Sequence, residues 1–295
     1  MLEGVRYLAA RTLRRHLIGP RQLRKFDAQV GTVIHRSPFD LTFELVPGEF
    51  VDRNIVYDGI YEERFLSFAA SLLTPDSVVV DIGANIGNHA LFLARKCAAV
   101  HCFEPNPRAL ERLARNISLN GFTNIIVHPF GLGERDETAR FYDNVGENLG
   151  CGSFVAPNGP TRELELPIRQ AGTAISELNL DRLDFIKIDI EHMEEIVLRA
   201  LGDILERYRP IISFEFDGTT RSPDEFERIR RALKGFDLFE PRFSPSDGTI
   251  VERIRWNLRS GGIPDLVPIE VPEARWYENI FAIPTERRGR PPKKP

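Results

Sequence analysis

The spacing of apolar positions changes from one segment of this chain to the next. Over residues 1–25, Leu2, Val5, Leu8 or Ala9, Leu13 and Leu17 recur at helical spacing and predict an amphipathic helix. Gly19-Pro20 is expected to end it. Residues 30–56 alternate instead. Their β-formers, Thr32-Val33-Ile34 and Leu41-Thr42-Phe43-Glu44-Leu45, predict a short antiparallel pair. Gly59-Ile60-Tyr61-Glu62 then opens a helix that runs through Leu73 and breaks at Thr74-Pro75-Asp76.

From Ser77 the pattern is that of strands buried on both faces, alternating with helices. Val78-Val79-Val80, Ala99 to Phe103, Ile125-Ile126-Val127, Phe185 to Ile188 and Pro210 to Phe214 are continuous apolar runs. Between them, Asn106-Pro107 supplies an N-cap and a first-turn proline, Leu110, Leu113 and Ile117 a buried stripe, and Asn120-Gly121 a stop. A helix is expected near residues 193–206. Ser222-Pro223-Asp224-Glu225 is a capping box for another, and Asn279 to Ile283 reads as a last strand. Such alternation predicts a doubly wound, mostly parallel α/β sheet. Residues 133–170 interrupt it with two strand-like runs around a Gly-, Asn- and Pro-rich loop, read as an inserted hairpin near the active face. The chain thus divides into an N-terminal basic helix with short strands (1–57), a main domain (58–285) and a basic, disordered tail (286–295).

Composition narrows the classes. The 295 residues are 42% hydrophobic and 28% charged, which suits a globular chain with a large core. Cys97, Cys102 and Cys151 form neither a disulfide framework nor a Cys-x-x-Cys zinc pair, so a reducing, cytoplasmic setting is expected. The net charge of −4 is uneven: residues 1–25 carry +6 and residues 286–295 carry +4, leaving −14 on the body. A body that acidic is a poor polyanion binder. Residues 1–25 are expected to pack on the body, with peripheral contact to an anionic membrane as the alternative. No apolar run is long enough for a transmembrane segment. Arg-Gly-Arg-Pro at 288–291 is similar to the core of an AT-hook, yet the tail is read as solvated and not DNA-bound.

The chemistry concentrates in Val80-Asp81-Ile82-Gly83-Ala84-Asn85-Ile86-Gly87, which follows a strand and opens a helix. Gly83 allows a sharp turn and a close approach by a ligand. Glu104 ends the second strand, 23 residues after Asp81, where a carboxylate suits a ribose diol. The dinucleotide fingerprint Gly-x-Gly-x-x-Gly is missing, and no Gly-Lys-Ser/Thr marks a P-loop. A carboxylate just before the turn repels a pyrophosphate but accepts from an α-amino group. The ligand wanting both an ammonium partner and a carboxylate cradle is S-adenosylmethionine (SAM).

These residues resemble the FkbM family of SAM-dependent methyltransferases. The matching segments are Val80 to Gly87, Phe103-Glu104-Pro105-Asn106-Pro107, Asn116 to Gly121 and Ile186-Lys187-Ile188-Asp189-Ile190-Glu191. Gly59-Ile60-Tyr61-Glu62 and Gly152-Ser153 are further family features. The resemblance covers about residues 55–216 and implies a Rossmann-like class I methyltransferase fold and O-methylation, often of sugars or natural products. It implies that Asp81, Gly83, Ala84, Asn85 and Gly87 hold the methionyl part of SAM, with Glu62 adding to the cofactor site. Glu104, Pro105 and Asn106 would hold the ribose, and Phe130 and Gly131 would meet adenine. Asp189, Glu191 and His192 stand where methyl donor and acceptor meet and are the catalytic candidates. The chain departs from the family at His192, usually glycine, and at Asn88-His89, usually an aromatic.

A hydroxyl acceptor needs help losing its proton. His192 is the base candidate, since imidazole ordinarily titrates near neutrality. A divalent metal between Asp189 and Glu191 is the weaker alternative, and no metal is assigned. Glu215 and Asp217 could line the pocket of a small-molecule or glycan acceptor or bind loop amides. An NAD(P)-dependent oxidoreductase and a SAM-binding module without turnover are the competing readings.

Overall fold

The computed structural model describes residues 14–144, 152, 161–190, 192–243 and 263–287. Glu191, the tip of the insert around Ser153, and most of the basic segments at 1–25 and 286–295 lie outside the described residues.

A π-helical turn at Arg14–Ile18 runs into α1 (Gly19–Asp27), so Gly19-Pro20 starts a helix here and does not end one. Proline is tolerated in a first turn, where its missing N–H has no intrahelical partner. Gly19 is buried against α2 (Phe50–Asp58), where a Cβ would lie 2.5 Å from the Tyr57 carbonyl oxygen. Between these helices, β1 (Val33–Arg36) and β2 (Thr42–Leu45) form the expected antiparallel pair, with Val33 opposite Leu45. Next comes α3 (Glu63–Ser71).

Alternation then begins with β3 (Val78–Ile82), α4 (Asn88–Leu93), β4 (Ala99–Phe103), α5 (Pro107–Asn120) and β5 (Ile125–His128). The insert forms a three-stranded sheet of β6 (Gly131–Gly133), β7 (Glu137–Asn144) and β8 (Thr161–Gln170), in the order β6-β8-β7. After α6 (Ala171–Ser176) come β9 (Phe185–Ile188), α7 (Glu194–Ala200), α8 (Gly202–Tyr208) and β10 (Ile211–Asp217). Sequence spacing predicts one helix where α7 and α8 stand; the chain bends between them at Leu201, out of helical geometry. The chain closes with α9 (Pro223–Ala232), β11 (Phe236–Arg242), β12 (Asp265–Pro268) and β13 (Trp276–Pro284).

The main sheet runs β12-β11-β13-β10-β9-β3-β4-β5. From β10 to β5 every pairing is parallel, whereas β13 is antiparallel to both of its neighbours. Counted from β3, the strands stand in the order 3-2-1-4-5-7-6, with β12 added at the edge. Strand order reverses beside β3, and the carboxyl ends of β3, β4 and β9 meet there. One face of the sheet buries Ile82, Ile186, Val197, Leu201 and Phe226; the other buries Val79, Leu91, Leu113 and Phe185. Phe26, Leu41, Phe43, Leu45 and Ile55 join the second cluster, so the hairpin and α1 share the core of the sheet.

The hairpin is also stitched to the site. Asn116 on α5 is fully buried; its Oδ1 accepts from Glu44 N at 2.7 Å and its Nδ2 donates to Ile86 O at 2.9 Å. Asn120 exchanges bonds with both backbone groups of Thr42. Asn116 thereby ties the loop after β3 to the hairpin.

Candidate active site

The loop after β3 is shaped by one close crossing. At Gly83, φ is +84°, and a Cβ would lie 1.9 Å from the Asp189 carbonyl oxygen. Only glycine fits, because the loops leaving β3 and β9 touch there through their backbones. Gly87, at φ +89°, caps the start of α4. Ala84 and Asn85 lie between the two glycines, with Asn85 at φ +49°.

Glu104 directly follows β4 and anchors this loop. Its Oε2 accepts from Asn85 N at 2.8 Å and its Oε1 from Asn106 N at 2.9 Å. Each oxygen retains capacity for one more donor, as a ribose diol would require. Burial pushes the carboxyl up to about 7, against the pull of the two amides. Asn106 caps α5 through Arg108 N at 3.0 Å, next to Pro105 and the first-turn Pro107. Buried Asp143 reaches over from β7 to Asn106 Nδ2 at 3.4 Å and to Arg108 at 3.2 Å. The insert, read from sequence as lying near the active face, thus backs Asn106 and the start of α5. Phe130 lies edge-on to Phe103 under Arg169, and Gly131 packs against Pro105 and Ile168.

Asp81, next to last in β3, has no exposed surface, and neither carboxylate oxygen has a hydrogen-bond partner among the described residues. An ionised carboxylate cannot rest unpaired in such a place without cost. Burial accordingly raises its pKa, opposed by Lys187 and His89. Lys187, on β9 beside it, is itself buried and gives Nζ to Asp189 Oδ2 at 2.6 Å. Burial works against the ammonium, but Asp189, Asp81, Glu62 and Glu215 outweigh it and hold Lys187 above its ordinary range. Burial likewise works against ionised Asp189, and Lys187 keeps that carboxyl below its usual value.

The other wall is built by residues around α3 and β13. Glu62 adopts a left-handed conformation, φ +55°, at the start of α3. Its Oε2 meets His89 Nε2 at 2.7 Å, and its Oε1 accepts from Asn279 Nδ2 at 2.8 Å. Asn279 Oδ1 in turn accepts from Ser213 Oγ at 3.1 Å. Asn88 clamps the adjacent peptide: Tyr61 N donates to its Oδ1 at 3.1 Å, and its Nδ2 donates to Tyr61 O at 3.0 Å. The two residues that depart from the family pattern, Asn88 and His89, are thus the partners of Tyr61 and Glu62.

The pairing of β10 with β13 slips by one residue between Phe214 and Phe216. Glu278 and Asn279 consequently face one residue, Glu215, and such a bulge turns successive side chains towards one site. Tyr61 feels the carboxylates of Glu62, Asp189, Glu215 and Glu278; with burial first, these push its phenol well above the ordinary value. Burial and nearby Asp189 and Glu62 also raise Glu215. Asp217, two residues on, turns to its own loop, accepting from Thr219 N at 2.9 Å and from Thr219 and Thr220 hydroxyls.

Of the catalytic candidates read from sequence, only Asp189 faces this cluster among the described residues. His192 is exposed at φ +74°, and its Nδ1 accepts from Arg221 Nε at 3.3 Å. Glu191, and with it the metal pairing, lies outside the described residues. Sequence reasoning did not assign roles to Lys187, His89, Asn88, Glu278 or Asn279. Asn88-His89 left one signal, as a departure from the family pattern; the convergence of β13 on the site left none.

A parallel sheet with this strand order, an acid at the carboxyl end of each of its first two central strands and a glycine crossing between the loops that leave β3 and β9 define a Rossmann-like methyltransferase fold. Residues 81–238 match the methyltransferase FkbM domain, and the chain belongs to that family. It is 28% identical over 175 residues to Methyltransferase 1 of Beauveria bassiana (strain ARSEF 2860), covering 52% of this chain and 68% of that protein. It is 25% identical over 151 residues to 2-O-methyltransferase NoeI of Sinorhizobium fredii (strain NBRC 101917 / NGR234), covering 46% of this chain and 61% of that one. Among solved structures, methyltransferase FkbM from Methylobacillus flagellatus KT is similar, at 20% identity and a TM-score of 0.42, over 63% of this chain and 48% of that chain. The match thus takes in less than two thirds of the last two proteins. No helix among the described residues is long and apolar enough to cross a membrane.

Proposed function

We propose that this chain is a SAM-dependent methyltransferase acting on a hydroxyl oxygen of a sugar, glycoconjugate or natural product. The observation that carries the proposal is Asp81, a fully buried carboxylate with no hydrogen-bond partner among the described residues, beside a glycine crossing and one strand from Glu104. That arrangement fits a ligand with an ammonium at one end and a ribose at the other. Asp81 would take the α-ammonium, and the loop through Gly83, Ala84, Asn85 and Gly87 the methionyl part. Glu104, with Pro105 and Asn106, would take the ribose hydroxyls, and Phe130 and Gly131 the adenine. SAM brings an activated methyl with a good leaving group, so the protein's work is alignment and proton removal.

Lys187 and Asp189 form a neutral, rigid floor beneath the reacting edge. Glu215, Glu278 and Tyr61 line the side where an acceptor would enter, offering carboxylates and a phenol to hydroxyl groups. The matched relative named as a 2-O-methyltransferase supports oxygen as the target. A cluster of carboxylates on a body of charge −14 disfavours a nucleic-acid acceptor. His192 does not serve as the base in this proposal, because its ring is exposed and occupied by Arg221.

The test is calorimetric titration with SAM, S-adenosylhomocysteine and NAD, on the wild type and Glu104→Ala. Micromolar binding of both adenosyl ligands, weakened by the substitution, is expected. Binding of NAD alone would overturn the proposal in favour of an oxidoreductase. Tight SAM binding with no turnover across a broad hydroxyl panel would make the chain a binding module.

A further inference from the structure

We propose that His89, oriented by Glu62, is the general base that takes the acceptor's proton. The inference rests on the methyl-transfer reading above. A base for a hydroxyl must sit at the reacting edge, be held in one orientation and have a free lone pair.

His89 meets these conditions by geometry. Its Nε2 is 2.7 Å from Glu62 Oε2, which assigns the Nε2 proton to that bond and leaves Nδ1 as the acceptor. Among the described residues Nδ1 has no hydrogen-bond partner. Glu62 cannot swing away, because Asn279 holds its other oxygen and Ser213 holds Asn279. The ring is held edge-on by Phe65 at 5.6 Å and by Tyr61 at 6.2 Å. Elements from four parts of the chain, α4, the start of α3, β13 and β10, converge to orient one imidazole. The logic is that of a histidine positioned by a buried carboxylate.

The neighbouring groups are less suited. Asp189 is tied to Lys187 and held in its weakly basic form. Asp81 is engaged by the ligand's α-ammonium on the methyl-transfer reading, and so is not free for the acceptor. Tyr61 and Glu215 are pushed towards their protonated forms. Glu278, at the rim, faces Glu62 and Tyr61.

In the step itself the acceptor O–H bond breaks and its proton moves to Nδ1 of His89. The oxygen's electron pair forms the new bond to the methyl carbon, and the sulfur keeps the pair of the bond that breaks. The imidazolium is neutralised by Glu62 and returns its proton to water after product leaves.

The test uses the full chain labelled with ¹⁵N-histidine and saturated with S-adenosylhomocysteine. The His89 signals are assigned by their loss in His89→Gln. The neutral ring should carry its proton on Nε2. Glu62→Gln should abolish that tautomer preference. A neutral ring protonated on Nδ1, or a ring still doubly protonated at pH 9, would overturn the inference. Calorimetry with S-adenosylhomocysteine on both variants checks that the fold and donor site persist. Failure of the wild type to bind it would count against the methyl-transfer reading itself. With methyl glycosides as hydroxyl probes, His89→Gln should lower kcat by about 10²- to 10⁴-fold while leaving the KM for SAM near wild type. A kcat within threefold of wild type would refute the role.

Discussion

Glu104 should make binding of the adenosyl ligand depend on pH, and the size of the effect follows from its surroundings. Burial raises this carboxyl to about 7, so at mildly acidic pH much of it is protonated in the free protein. A ribose diol donates two hydrogen bonds and therefore selects the ionised form. Below pH 7 the ligand must expel a proton, and affinity should fall towards tenfold per pH unit. Between pH 7.2 and 5.5, for a carboxyl at about 7, that amounts to roughly 20-fold, about 1.8 kcal/mol. Asp81 acts in the same direction, since burial raises it too and an ammonium also selects its ionised form. Keeping below pH 7.2 leaves the ligand's α-amino group, ordinarily near 8, almost unchanged. Calorimetry in two buffers of different ionisation enthalpy would count the protons released, approaching one from Glu104 at the acid end. Glu104→Gln should weaken binding by about 1–3 kcal/mol at pH 7.2, because its amide nitrogen must face Asn85 N or Asn106 N. The variant should also show a flatter pH profile. Wild-type affinity that changes less than twofold between pH 5.5 and 7.2 would refute this reasoning.

Other outcomes test the framework around the site. Gly83→Ala places a Cβ 1.9 Å from the Asp189 carbonyl oxygen at φ +84° and should cost at least about 3 kcal/mol in denaturant unfolding. Lys187→Met removes the only cation paired with Asp189 among the described residues and should destabilise by about 3–5 kcal/mol; adding Asp189→Asn should recover part of that loss. His101 Nδ1 and His128 Nε2 lie 3.1 Å apart on adjacent strands, and burial lowers both, His101 to about 4. The unfolded chain binds their protons first, so stability should fall as pH drops from 6.5 towards 4, by about 1–2 kcal/mol after allowing for partial exposure. His101→Phe should flatten that acid limb in urea titrations.

Local rules made much of the architecture legible. The runs at Val78, Ala99 and Phe185 had to be buried strands, and Asn106-Pro107 and Ser222-Pro223 had to start helices, because these signals act over a few residues. Strands β11 and β12 escaped notice: they lie at the sheet's edge region and carry Pro241 and Pro268, which weaken a strand signal. Gly19-Pro20 misled because the same dipeptide can close one helix or begin the next.

The sequence by itself brought together the residues proposed to hold the methyl donor. Asp81, Gly83, Asn85 and Glu104 belong to one strand-turn-helix unit and the strand beside it, so spacing along the chain already places them together. The reacting half was decided only by tertiary structure. Glu62 meets its partner Asn279 across 217 residues, and Asn279 reaches it through a one-residue slip between β10 and β13. No periodicity encodes that slip or the choice of His89 over His192. Both follow from how distant strands pack edge to edge, and packing is a property of the whole fold.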